Sequence, residues 1–256
     1  MIDRVATLDR FDREMRADPP SEADGRVERT EGVVRVVGKE GWILYSSLDT
    51  LTAPAAVETQ TAFFRARRMK VEWKLFGHDR PPELPQLLAR AGYVAEPSET
   101  LMVFDLEDGL PVGPDVPGVQ VAAVTDGNGL AAAVAVSQGA FGPHDGWATD
   151  DFASRLSDPS LTILVAYADG RPICSGRLEM PVGRSFASLW GGGTVPDWRK
   201  RGVYQLLTAR RAEIARGRGY RFLTVDALPT SRPILERLGF VPLTEMTGWV
   251  LDPAPG

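Results

Sequence analysis

The chain has 256 residues, of which 43% are hydrophobic and 25% charged, with a formal net charge of -5. This is the make-up of a globular protein long enough for one large or two modest domains. It excludes several classes: the acidic balance argues against a nucleic-acid partner, the lone Cys174 rules out an internal disulfide framework and suits a reducing cytoplasm, and no apolar run is long enough for a membrane span. The N-terminus mixes charges early and has no signal-peptide core. His78 and His144 lie far apart and make no metal-ligand spacing, so no metal site is expected.

Taken in order, Val5, Leu8, Phe11 and Met15 recur at helical spacing. A loop follows over Ala17–Gly25. Val33–Val37 is β-branched and predicts a strand, and Trp42–Tyr45 a second, with a turn at Gly38–Gly41 between them. Pro54–Arg68 predicts a helix with proline in its first turn. Val71–Leu75 predicts a strand, Leu84–Ala91 a helix stopped by Gly92, and Leu101–Leu106 a strand. The stretch 108–118 is rich in proline and glycine and reads as a domain linker.

Beyond the linker, Val119–Val124 predicts a strand, and Asn128–Gln138 and Trp147–Leu156 predict helices. Leu161–Tyr167, Pro172–Glu179 and Ser185–Thr194 predict a meander, with a hairpin turn at Asp169-Gly170. A helix over Val203–Arg216, a strand over Arg221–Val225, a helix over Pro233–Leu238 stopped by Gly239, and a strand over Phe240–Leu251 complete the chain. Leu87–Val94 and Ile234–Val241 share the order helix, glycine stop, aromatic, strand. Their place near the end of each half suggests that the halves share an architecture.

One stretch carries the chemistry. Leu189–Thr194 is a strand end, Pro196–Gly202 a basic loop, and Val203 begins a helix. A helix start presents unpaired N–H groups and the positive end of the macrodipole, which suits a phosphate. Gly202 allows close approach of the backbone, and Arg199, Lys200 and Arg201 add local positive charge.

The second half resembles the GCN5-related N-acetyltransferase (GNAT) superfamily. The residues that carry the resemblance are Arg199-Lys200-Arg201-Gly202-Val203-Tyr204, which match its (Gln/Arg)-x-x-Gly-x-(Gly/Ala) loop at the first and fourth positions, and the Ile234–Phe240 helix with its terminal Gly-Phe. Tyr204 departs from the small residue usual at the last position. The resemblance implies a mixed α/β fold with a mainly antiparallel sheet flanked by helices, here as two similar domains in tandem. Residues 1–107 would form a degenerate copy without a CoA site, 108–118 the linker, and 119–256 the catalytic domain. No glycine or cation stands between Ser46 and Ala53, and Asp49 would repel a pyrophosphate.

The resemblance further implies acetyl-CoA, or another acyl-CoA, as donor. Arg199, Arg201, Gly202, Val203 and Tyr204 would form the pyrophosphate cradle, and the main chain of Gly193, Thr194 and Val195 would pair with the pantetheine arm. The acceptor would be an amine on a small molecule or peptide, and the chain a cytoplasmic monomer or homodimer without nucleic-acid or membrane partners.

The tyrosine that often serves this family as acid is replaced by Leu235, which leaves Tyr204 and Tyr220 as other phenols. Glu179 at a strand end and His144 in the loop after the first helix of this half are the candidate bases, with Asp226 a further carboxylate at a strand end. Cys174 beside Ile173 reads as a small core residue. The competing reading is a non-catalytic CoA-binding regulator or scaffold, since binding and chemistry use different residues.

Overall fold

The computed structural model describes residues 2–20, 25–143 and 149–253. The expected His144 and the start of the helix expected from Trp147 lie outside them. The elements are α1 (Arg4–Phe11), a π-helical stretch (Asp12–Ala17), β1 (Arg26–Thr30), β2 (Val33–Val37), β3 (Gly41–Ser46), α2 (Ala53–Ala66), β4 (Val71–Phe76), α3 (Leu84–Arg90), β5 (Val94–Ala95) and β6 (Glu99–Asp105). They continue with β7 (Val119–Ala123), α4 (Gly127–Phe141), α5 (Thr149–Ser154), β8 (Leu161–Ala168), β9 (Arg171–Glu179), β10 (Phe186–Thr194), α6 (Val203–Gly217), β11 (Phe222–Ala227), α7 (Arg232–Arg237) and β12 (Val241–Leu251). The short strands β1 and β5 carry no strand signal in the sequence. Arg26–Thr30 is mostly charged and polar, and Val94–Ala95 has only two residues, so neither shows a readable period.

The chain forms two compact units, and they are not the contiguous halves 1–107 and 119–256. One holds residues 2–101, 227–229 and the chain from Leu243; the other holds Met102–Asp226 and Thr230–Pro242. We call them the N-terminal and C-terminal units. The last strand, β12, therefore completes the sheet of the N-terminal unit, where it runs antiparallel to β4 with Trp249 opposite Trp73. The end of β6 belongs to the C-terminal unit, where Asp105 pairs with Arg221 at 3.1 Å. Residues 108–118 also belong to that unit. They lie on α6 as a strap: a Cβ on Gly113 would stand 2.9 Å from the Gln205 carbonyl, and Val116 enters the core with Val203 and Leu207. Proline and glycine exclude helix and strand but do not prevent packing, which is why composition alone suggested a linker.

In the N-terminal unit the strands run β1-β2-β3-β4-β12, with β5 also on β12. Ile43, Phe64, Trp73, Leu84 and Leu88 form its core. In the C-terminal unit they run β6-β11-β10-β9-β8-β7. One face is covered by α4, through Ser175 bonded to the Ala133 carbonyl at 3.1 Å. The other is covered by α6, whose Arg211 lies against Gly176. Both pairings β3–β4 and β10–β11 are parallel, and all other recorded ladders are antiparallel.

The internal repeat is a structural one. In both copies the aromatic after the glycine closes the helix with the same bond, Tyr93 N–H to Leu88 O and Phe240 N–H to Leu235 O, each 3.0 Å. Gly92 and Gly239 take left-handed φ values of 95° and 94°, and Tyr93 and Phe240 are both buried. This is the αL helix stop, available to glycine at no steric cost. Gly92→Ala and Gly239→Ala should each cost about 1–2 kcal/mol in urea unfolding, because an L side chain is strained there.

Candidate active site

The site grows from three glycines. Gly191 has φ 56°, and the β9–β10 register jumps from Trp190↔Arg177 to Gly193↔Ser175. Gly191 and Gly192 thus oppose Gly176 alone, a bulge of the kind that favours a left-handed glycine. The glycines also admit two rings. A Cβ on Gly192 would stand 2.8 Å from the Tyr204 ring, and one on Gly193 would stand 2.7 Å from the Phe141 ring. Any side chain at either position would collide with an aromatic, so Gly192 and Gly193 are required by packing on the two faces of the strand and Gly191 by its left-handed φ.

Next to the bulge the sheet opens. β10 and β11 are paired only over Phe186↔Phe222, Ala187↔Leu223 and Ser188↔Thr224. Beyond Ser188, among the described residues, β10 keeps a ladder with β9 and none with β11, so the edge at Gly191–Gly193 can offer backbone groups to a ligand. The Val195 N–H bonds to Ile173 O at 3.0 Å, on the β9 side.

The loop leads into α6. Its N-cap is Gly202, at φ 83° and with no side-chain cap, and Lys200 is also left-handed at φ 62°. A Cβ on Gly202 would stand 2.5 Å from Pro114 of the strap. The first turn of a helix leaves N–H groups without intrahelical partners, and here no side chain caps them. Arg201 stacks over Trp198 at 4.7 Å. Arg199, expected in the cradle, has a different placement: its Nε donates to Thr194 O at 3.2 Å and an Nη to Ala140 O at 2.8 Å. It ties the strand end and the end of α4 to the loop, and it occupies the Thr194 carbonyl that was expected to face the pantetheine.

Under α6 lies a polar cluster where a helix normally presents apolar residues. Arg211 is fully buried and donates to Arg177 O at 3.1 Å. Tyr204 and Cys174 are beside it, and Thr194 Oγ1 donates to Cys174 Sγ at 3.2 Å. Burial pushes the Tyr204 phenol up, against the opposing pull of the Arg211 charge. Burial also pushes the Cys174 thiol up to about 11. Tyr220 donates its hydroxyl to Met180 O and Pro181 O, at 2.5 and 3.0 Å.

The two carboxylates fall at different points of the opening. Glu179 is half-buried and pairs in register with Ser188, the last β10 residue still joined to β11. Asp226 is on β11, past the last paired residue Thr224 and, by strand alternation, on the same face as Thr224. Leu235 is fully buried. Among the described residues no group of His, Cys, Asp and Glu could hold a metal, and no helix is long and apolar enough to cross a membrane.

No family model and no curated protein matches the sequence. Solved structures do match. A GCN5-related N-acetyltransferase from Kribbella flavida superposes with a TM-score of 0.71 at 19% identity, over 98% of this chain and 95% of that one. One from Sphaerobacter thermophilus gives 0.67 at 15%, over 88% and 78%. A tandem GNAT protein from the clavulanic acid biosynthesis pathway gives 0.62 at 13%, over 92% and 86%. The chain thus has the GNAT fold: a mixed α/β architecture with a mostly antiparallel sheet flanked by helices.

The cysteine provides a check on the cluster. Cys174 should resist iodoacetamide at pH 7–8 in the native protein and react after unfolding, because only the thiolate attacks. Folding holds the thiol in its neutral form, so its contribution is intact below the ordinary thiol value of 9.0 and is lost as pH rises to about 11. A Cys174→Ala variant should show a flatter fall in stability over that window.

Proposed function

We propose that the chain is an acyl-CoA-dependent N-acyltransferase, with acetyl-CoA as donor and an amine on a small molecule or peptide as acceptor. The observation that carries this reading is the opening of β10 from β11 beside the uncapped start of α6. A strand edge can pair with the two amides of a pantetheine arm, and a helix start can hold a pyrophosphate. Gly202 supports the loop conformation that brings these N–H groups together, since only a residue without Cβ tolerates both its φ and the contact with Pro114.

In this reading the backbone N–H groups of Arg201, Gly202, Val203 and Tyr204 hold the pyrophosphate. The pantetheine follows the edge of β10, through Gly193 and toward the bulge, while Thr194 and Val195 close its outer end. Arg199 positions the loop. The amine attacks the thioester carbonyl carbon, a β10 edge N–H stabilises the oxyanion, and the C–S bond breaks with the thiolate leaving. The acceptor ammonium must first lose a proton. We assign that proton to Asp226, because it stands on the arm that has left the ladder, whereas Glu179 stands where the strands are still joined. The attacking nitrogen gives its second proton to water, and with Leu235 in place of the acid and Tyr220 bonded to backbone carbonyls, the thiolate takes its proton from water in turn.

The test is calorimetry with acetyl-CoA, followed by thiol release over a panel of amines. Gly202→Glu should abolish binding, because a Cβ there meets Pro114 of the strap and is strained at φ 83°, so the loop must shift, and the carboxylate adds negative charge beside the cradle. Wild-type protein that binds no CoA would overturn the reading, and binding without turnover on any amine would favour a regulator. Asp226→Asn should lower kcat/KM by about 10²–10⁴-fold. Glu179→Gln should stay within a few-fold, and the opposite order would return the base to Glu179.

A further inference from the structure

The N-terminal unit repeats the geometry of the candidate site. β3 and β4 are parallel and paired only over Gly41↔Val71, Trp42↔Glu72 and Ile43↔Trp73, then separate. A bulge again falls just past the last pair: β2 skips from Val34↔Tyr45 to Arg35↔Ile43, which leaves Leu44 as the extra residue. A helix, α2, again follows the opened strand.

Both places that would be open in the C-terminal unit are filled here by the chain itself. Arg16 leaves the π-helical stretch, and its Nε donates to the bulged Leu44 carbonyl at 3.0 Å. One Nη donates to Asp79 at 2.6 and 2.9 Å, and the other to Asp12 at 2.7 Å, with His78 Nε2 at 3.2 Å. The guanidinium lies over the rings of Phe76 and Tyr45, at 4.0 and 5.4 Å. Asp79 is pinned in turn by the Phe76 N–H at 2.9 Å, so the guanidinium bridges the β3 bulge and the end of β4. Arg16 and Asp79 side chains are each only 3% exposed. At the helix, Asp49 Oδ1 accepts from the N–H groups of Leu51 and Thr52, at 2.9 and 2.8 Å. A carboxylate stands where an incoming phosphate would need those donors.

We infer that the N-terminal unit contains a built alkylguanidinium site, filled by Arg16, at the place where the C-terminal unit would take a pantetheine arm. The unit is an internally liganded copy, with Arg16 across the strand opening and Asp49 at the helix start. The guanidinium site follows from the contacts alone; its equivalence to a pantetheine place rests on the proposed function. A guanidinium that donates to Leu44 O on β3 and to Asp79 just past β4 stands across the opening, where a second amide chain would need that carbonyl.

The experiment is chemical rescue in the full chain. Arg16→Ala should lower Tm, and ethylguanidinium well above its Kd should restore about 2–4 °C, an effect that ethylammonium does not reproduce. Wild type should show no such rise, and Arg16→Ala combined with Asp79→Asn should lose it. Equal responses to the two cations, or equal responses of wild type and variant, would overturn the inference. If Arg16→Ala does not fold, the wild-type Arg16 Nε–H decides by NMR: slow solvent exchange is expected, and exchange at the rate of exposed arginines would overturn it. The two readings fail separately, because absence of CoA binding to wild type would remove the proposed function and leave the guanidinium rescue intact.

Discussion

The structure depends on one constraint: in each unit a pair of parallel strands is joined over only three residue pairs and then parts. Parting leaves N–H and C=O groups that a sheet would otherwise satisfy, and buried backbone groups must be paired with something. Each unit meets this demand differently. In the C-terminal unit the strand edge past the last β10–β11 pair leads to a helix start with no side-chain cap among the described residues. In the N-terminal unit a guanidinium and a carboxylate supply the missing partners from within.

The bulge next to each opening is part of the same arrangement. One extra residue turns the strand away from its parallel neighbour and leaves a carbonyl or N–H without a ladder partner. In β10 the extra residue is glycine, and the room it leaves is taken by Tyr204 on one face, where the resembling family keeps a small residue. The large helix residue and the glycines of the strand are complementary, so Tyr204 is accommodated without displacing α6. Arg211, under the same helix, donates to a carbonyl of β9 next to the bulge. Among the described residues its donors go to the Arg177 and Leu207 carbonyls and the Thr208 hydroxyl, a role toward backbone and hydroxyl groups more than one in an ion pair.

Much of this was readable from the chain. The helices, most strands, the glycine stops and the basic loop were all legible, because each depends on local period, capping and φ preference. The likeness of Leu87–Val94 to Ile234–Val241 corresponds to two helix stops closed by the same backbone bond. Less was legible at the site. The opening of β10 from β11, the tie from Arg199 to Thr194 and the place of Asp226 beyond the last ladder pair all depend on strand register, which no local pattern in these residues encodes. Arg16 stood in a helical stretch as one charged residue among several, with nothing in its neighbours to indicate Leu44 or Asp79.

The sequence by itself determined the elements, the mixed α/β class and the one glycine-bearing loop that can receive an anion, since these follow from interactions within a few residues. Only the tertiary structure decided which strands complete which unit, that residues 108–118 pack on α6 rather than link two bodies, and that Arg16 fills the opening between β3 and β4. Those outcomes rest on contacts between residues far apart in the chain, such as Trp249 with Trp73 and Arg16 with Asp79. In such contacts both partners must be correctly placed before either gains stability.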